Sequence, residues 1–222
     1  MKSTDQKKIT HLSKSDPILA VVIKKAAHLI HAWDSSKRPK HFKALIVAII
    51  NQQLSGKAAD TIQKRFEALF ANASQLSKTP KRKSRSHKKF PTPEDVLRMP
   101  AAKLRKVGLS GMKISFMKDL SKKVLDGTVN FRAMKKWSDE EVIEHLVQVK
   151  GIGRWTAEMF LMFSLGREDV FSYGDLGLRN AMQKLYKLRA HPTPTQAEKI
   201  AEKWSPYRSL ASRYLWASLE IE

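Results

Sequence analysis

Three observations predict an all-α fold. Apolar residues recur at i, i+3, i+4 and i+7 along most of the chain. No stretch of six residues alternates cleanly as a strand does. Helix-start signals, an Asp, Ser or Thr ahead of Pro or ahead of an apolar run, recur from one end to the other. With 222 residues the chain suits one large domain or two small lobes sharing a cleft.

The elements follow in order. Asp16-Pro17 is an N-cap with proline at the first helical position, and Ile18, Val21, Val22, Ala26, Leu29 and Ile30 form one broad face. Phe42, Leu45, Ile46, Ile49 and Ile50 make the next stripe. Ser55 caps a helix that turns Ala58, Ala59, Ile62, Phe66 and Leu69 inward. Thr92-Pro93 starts a short helix, and Gly108 ends the one containing Leu104. Ser110 opens a segment with Ile114, Met117, Leu120 and Val124 that stops near Gly127. Ser138 and Glu141 form a capping box ahead of Val142–Val149. Later helices are expected over 154–164, 176–188, 195–204 and 206–220. Trp33, Trp137 and Trp204 read as core, and His28 and His31 as surface or boundary residues.

Charge points to a partner. Lys plus Arg number 42 against 21 acids, a net +21 that favours a polyanion, nucleic acid above all. Cysteine is absent, which excludes disulfides, thiolate zinc sites, iron–sulfur clusters and cysteine nucleophiles. It fits a reducing interior compartment. The N-terminal MKSTDQKKIT is polar and no apolar run is long enough to span a bilayer, so no membrane partner is expected. Residues 74–89, which include KRKSRSHKK, carry seven Lys or Arg and no acid. They read as a flexible basic loop, either a solvated linker or an arm touching phosphates.

Between two well-marked helices lies Val149-Lys150-Gly151-Ile152-Gly153-Arg154. Two glycines allow a tight turn and close approach of a ligand to the backbone. The following helix offers free N–H groups to an anion, with Lys150 and Arg154 beside them. Ile152 plugs the hairpin into the core. Alone, this is also an ordinary helical hairpin. LVQVKGIGRWTAEMFL followed by VFSYGDLGLRNAM resembles the helix-hairpin-helix DNA glycosylase superfamily, which joins such a hairpin to a loop ending in an essential Asp. IINQQLSGKAADTI and VGLSGMKISFMKDL are similar to signatures of its 3-methyladenine DNA glycosylase II (alkylation-repair) group. The resemblance runs from about Phe42 to Trp216. It lacks any counterpart of the N-terminal β domain of larger members, so it implies the compact form.

The resemblance implies two helical lobes flanking a DNA-binding cleft. One lobe would cover about 40–130; the second, 1–39 plus 131–222, would carry the hairpin and the catalytic Asp. It implies double-stranded DNA with alkylated bases as partner and a monomer as the working form. The site of action would be the bacterial cytoplasm at the nucleoid or the eukaryotic nucleus. It makes Asp175 the catalytic carboxylate, although on local grounds Asp175 is equally a helix N-cap. Where strand-cutting members carry a Schiff-base lysine, this chain has Trp155. That implies a hydrolase without lyase activity, leaving an abasic site. An alkylated purine is cationic and suits an aromatic pocket, assigned to Trp155 and Trp216 with Met159 and Tyr173. Gln53 is the residue that fills the duplex after base flipping, placed by the resemblance at the start of a helix. Lys150, Gly151, Ile152, Gly153, Arg154 and Thr156 are assigned to the DNA backbone, as are Gly111 and Lys113.

No histidine spacing suggests a catalytic metal, and no cofactor is required. The resemblance allows a structural Na+ or K+ at the carbonyls of Val147, Val149 and Ile152. Two other readings stay open from the residues: a non-enzymatic helix-hairpin-helix DNA-binding protein, with Asp175 as a cap and Trp155 as core, and a glycosylase for another damaged base.

Overall fold

The computed structural model describes residues 3–30, 38–75 and 90–221. Among the described residues every regular element is helical, as the apolar periodicity requires. The chain divides into two compact units, Met1–Arg38 with Glu158–Glu222, and Pro39–Ala157.

The first unit begins with α1 (Ser3–Ser15) and α2 (Pro17–Ala26), which pack on each other. The sequence reading missed α1. Its surface is polar except at Leu12, which is fully buried, and Ile9, so it shows almost no apolar stripe. Asp16 caps α2 as expected: its Oδ1 accepts from the N–H groups of Ile18 and Leu19 at 3.0 and 3.1 Å. Its Oδ2 accepts from Trp204 Nε1 at 2.9 Å and from the Tyr186 hydroxyl. Burial, then the bond to Asp16 and its charge, push the Tyr186 phenol well above its ordinary range. α2 stops at Ala26, and Leu29 and Ile30 pack on the core from a turn.

The same unit holds α10 (Leu176–Leu185), α11 (Pro194–Ala201) and α12 (Arg208–Ala217). α12 packs against both α2 and α10 over Leu19, Val22, Leu178, Met182, Trp204 and Leu215. α10 is shorter than expected because Lys187 takes a left-handed φ of 53°. The expected helix 154–164 is α9 (Arg154–Phe160) followed by a π-helical turn, Leu161–Leu165. Gly166 ends that turn at φ 74°, and a Cβ there would lie 1.9 Å from the Arg38 guanidinium. Arg38 Nη1 donates to the Leu165 carbonyl at 3.2 Å.

The second unit contains α3 (His41–Asn51), α4 (Gly56–Gln75), α5 (Pro93–Arg98), α6 (Ala101–Lys106), α7 (Gly111–Leu125) and α8 (Asp139–Leu146). α3 packs on α4 and α7, and α5 and α6 also pack on α7. Leu45, Ile46, Ile49, Phe66, Leu104, Met117 and Leu120 are its buried core. Thr92 with Asp95 and Ser138 with Glu141 form complete capping boxes.

Two expectations need correction. The unit boundary lies at 157/158, not near 130, so the hairpin belongs with 39–130. The reason is a set of ties from the hairpin to α3 and α7, described below. Trp137 is only half-buried and stacks on His145 with centroids 4.2 Å apart, whereas Trp204 is core. Trp33 and His31 lie outside the described residues. So does the basic loop from residue 76 to 89; Ser74 and Gln75 end α4.

Candidate active site

In the first unit, the backbone runs from Val170 to Asp175 and then enters α10. Asp175 is the N-cap of that helix: its Oδ1 accepts from the Leu178 N–H at 2.8 Å. The same oxygen accepts from Trp216 Nε1, on α12, at 2.9 Å. Cap and candidate catalyst are therefore one carboxylate, oriented by a helix start and by an indole. A Cβ on Gly177 would stand 3.1 Å from both Asp175 Oδ1 and Trp216 Cδ1. The small residue leaves room for this bond.

Trp216 is half-buried, and its ring lies 5.9 Å from that of Phe163, with 30° between the planes. Phe163 comes from the π-helical turn, which the sequence reading treated as ordinary helix. A single-turn π bulge rotates the residues after it, and such bulges are frequent at functional sites. Tyr173 packs on the unit's core, its hydroxyl donates to the Pro192 carbonyl at 3.4 Å, and the Arg179 guanidinium lies 5.9 Å from its ring centroid. Met159 is half-buried on α9.

Glu158 and Ser172 were also missed. Glu158 is 7% exposed, and its Oε2 accepts from the fully buried Ser172 hydroxyl at 2.5 Å. The signal was present as one acid in the apolar run Trp155–Leu165.

The other candidates lie in the second unit. Trp155, in the first turn of α9, is 48% exposed, as a stacking surface would be and a core residue would not. The hairpin before it is closed by Val149 N–H to the Leu146 carbonyl and Ile152 N–H to the Val149 carbonyl, both at 3.0 Å. Ile152 is buried, as expected of a plug. Gly151 sits at φ 77°, and a Cβ on it would fall 2.1 Å from the Phe116 ring of α7. Only glycine fits there, on sterics and on backbone conformation together. The Lys150 N–H donates to Asp119 Oδ2 at 2.9 Å. Burial alone would raise the Asp119 carboxyl, but bonds from Lys123 and Lys150 outweigh it and hold it below the ordinary range. Gln52 Nε2 donates to the Gly151 carbonyl at 2.7 Å, tying the end of α3 to the hairpin.

Gln53 is exposed and left-handed, φ 55°, in the connection between α3 and α4. It does not start a helix. The left-handed turn projects it outward, which is what a wedge needs. Leu54 beside it is also exposed.

Three backbone-binding assignments look different in the structure. The Lys113 ammonium donates to the Ile50 carbonyl at 2.7 Å, in the last turn of α3. Burial lowers its pKa. It caps a helix whose last carbonyls lack partners, rather than reaching outward. Thr156 is buried, on the inner face of α9. Arg154 is exposed but forms a forked pair with Glu140, Nη1–Oε1 2.7 Å and Nη2–Oε2 2.8 Å. That bond holds the Glu140 carboxyl below its ordinary range. Gly111 and Gly153 are exposed, each at or just before a helix start. Among the described residues no group of three His, Asp or Glu side chains could hold a metal ion. The hairpin carbonyls are a different donor set: a carbonyl oxygen has two lone pairs, so Val149 can serve Ile152 and still face an ion.

Comparison with known proteins gives a consistent result. The model of the family described as "HhH-GPD superfamily base excision DNA repair protein" matches residues 46–206. The chain is 35% identical over 188 residues to DNA-3-methyladenine glycosylase 1 of Schizosaccharomyces pombe, covering 84% of this chain and 76% of that one. Its fold is similar to the solved structure of a 3-methyladenine DNA glycosylase from the same yeast in complex with abasic DNA. There the TM-score is 0.78 and the identity 32%, over 97% of each chain. It is equally similar to a DNA-3-methyladenine glycosidase of Bacillus halodurans, with TM-score 0.78 and identity 32%, over 99% of this chain and 92% of that one.

Proposed function

The chain belongs to the HhH-GPD superfamily of base excision DNA repair proteins, and we propose that it is a monofunctional glycosylase for alkylated purines in double-stranded DNA. The observation that carries this reading is the Asp175 carboxylate, oriented by Leu178 and by the half-buried Trp216. A damaged nucleotide leaves the stack, because its glycosidic bond is shielded inside the duplex. Gln53 fills the gap and the hairpin around Gly151 and Gly153 holds the backbone. The alkylated base is cationic, so it gains from an indole face such as that of Trp216, whose N–H bonds Asp175. As the base departs, positive charge develops on the sugar. The Asp175 carboxylate stabilises that charge and aligns or deprotonates the water that completes hydrolysis.

The reading without lyase chemistry rests on Trp155, which the resemblance places where strand-cutting members carry the Schiff-base lysine. An indole forms no imine, so no Schiff base links enzyme and sugar. The working form is a monomer on duplex DNA, to which the +21 charge draws it. The hairpin carbonyls of Val147, Val149 and Ile152 suit a Na+ or K+ ion that would hold hairpin shape and take no part in the chemistry.

The test uses duplexes carrying a single 7-methylguanine or 3-methyladenine. Wild type should release the free base and leave an abasic site. Asp175→Asn should lose most of that activity and keep its affinity for abasic DNA. Borohydride should trap no covalent adduct. Near wild-type excision by Asp175→Asn would remove Asp175 from the mechanism. A trapped adduct with strand cleavage would overturn the monofunctional reading. Binding without base release from any lesion would leave a DNA-binding module.

A further inference from the structure

We propose that Glu158 and Ser172 form a buried positioning pair that sets the placement of the Asp175 carboxylate; the proposal rests on the reading of Asp175 as the catalytic residue. Glu158 is the one charged residue between Trp155 and Leu165, and it is 7% exposed. An ionisable carboxyl at such a site is unfavourable unless its environment compensates, and an apolar residue would serve packing better. A specific geometric duty accounts for its presence.

The duty is visible in Ser172, which is fully buried and works in two directions. Its hydroxyl donates to Glu158 Oε2 at 2.5 Å. Its carbonyl accepts from the Asp175 N–H at 3.1 Å, closing the turn that ends at the carboxylate. Glu158 stands on α9, a regular helix, so one end of this relay is rigid. The other end is Asp175, held by Leu178 N–H and Trp216 Nε1. If the Ser172 hydroxyl lost its acceptor, the turn between Ser172 and Asp175 would be free to shift through its backbone torsions. The carboxylate would then pivot about the Oδ1 that stays bonded to the Leu178 N–H, and its other oxygen would be displaced. Neither Glu158 nor Ser172 needs to touch DNA for this.

Such a role differs from general packing in what it changes. Misplacing a catalytic group by about 1 Å costs on the order of a hundredfold in rate while leaving ground-state contacts intact. Ser172→Ala should therefore slow single-turnover excision of 7-methylguanine at saturating enzyme by between about tenfold and a hundredfold. Affinity for a stable abasic-site analogue should stay unchanged. Glu158→Leu, which removes the acceptor at similar volume, should give the same loss. Glu158→Gln keeps an oxygen for the Ser172 hydroxyl and should restore most of the rate. The double variant Glu158→Leu/Ser172→Ala should lose no more than either single one, because both break the same link. In an Asp175→Asn background, followed by long incubation, Ser172→Ala should cost nothing further.

A wild-type rate for Ser172→Ala overturns the proposal. So do multiplied losses in the double variant, or a further loss in the Asp175→Asn background. Should Glu158→Leu fail to fold, Ser172→Ala, Glu158→Gln and the Asp175→Asn cycle decide the matter among themselves. Slow Ser172→Ala beside a wild-type Asp175→Asn would instead overturn the catalytic reading of Asp175.

Discussion

One oxygen of Asp175 accepts both the N–H that begins α10 and the indole N–H of Trp216. The first bond fixes the carboxylate relative to its own helix, and the second fixes it relative to α12. Under the proposed function, Trp216 has a second role beside stacking: its N–H orients the carboxylate proposed to meet the sugar cation. Trp216→Phe separates the two roles, since it keeps a ring and loses the donor. A hydrogen bond to a charged group is worth about 1.5–3 kcal/mol. If that bond serves the transition state, single-turnover excision should fall by roughly tenfold to a hundredfold. Affinity for abasic DNA should hold. A Trp216→Phe enzyme that excises 7-methylguanine at the wild-type rate would leave Trp216 with the stacking role alone. In the sequence Asp175 is legible locally only as a cap; its reading as the catalyst comes from the resemblance of the hairpin and the loop after it to the glycosylase family. The indole bond is not legible there, because Trp216 lies 41 residues away on another helix.

Elements matter through how they are pinned. Trp216 rides on α12, and the start of α12 is held by Asp169. Its carboxylate takes Arg208 Nε and Nη2 at 2.8 and 2.9 Å, the Arg208 N–H at 3.2 Å and the Ser205 hydroxyl at 2.9 Å. Burial alone would raise the Asp169 carboxyl, but the bonds from Arg208 and Ser205 and the guanidinium charge outweigh it. Its pKa in the folded protein is therefore below the ordinary value of about 3.9. A depressed carboxyl contributes stability that is complete above its unfolded pKa and is lost as pH falls through the folded one. The stability gap between wild type and Asp169→Asn should be constant from neutral pH down to about 5 and close as the pH drops below about 4. Denaturant melts at several pH values measure it. A gap that stays constant through the acid range would show that the ion pair is not its source. Helix starts such as Asp16-Pro17, Thr92 and Ser138 could be read from the sequence because a cap and its partners lie within three residues. α1 could not, since Leu12 is nearly its whole buried face. Nor could the π turn or the unit boundary. The boundary depends on contacts such as Gln52 with Gly151, 99 residues apart, that no local pattern encodes.

At the scale of the whole molecule, the net charge of +21 governs how DNA is met rather than how a base is cut. Each phosphate neutralised by a Lys or Arg releases condensed counterions, and the log of the binding constant falls with the log of salt concentration by about 0.9 per contact. Asp119 and Glu140 show that part of the basic excess is engaged within the protein, at Lys123 and at Arg154. The residues 80–89 carry six Lys or Arg and no acid. If they meet phosphates, a chain lacking Pro80–Lys89 should bind undamaged duplex more weakly. Its salt slope should be shallower by about 0.9 for each contact removed. Single-turnover excision at saturating enzyme should barely change, because Asp175, Trp155 and Trp216 remain. Fluorescence anisotropy over a salt series gives the slope, and a quench experiment gives the rate. An unchanged slope would assign the phosphate contacts to other cations. Lys150 would then be the first to test, because its backbone is tied to Asp119 in the hairpin and the residue is exposed.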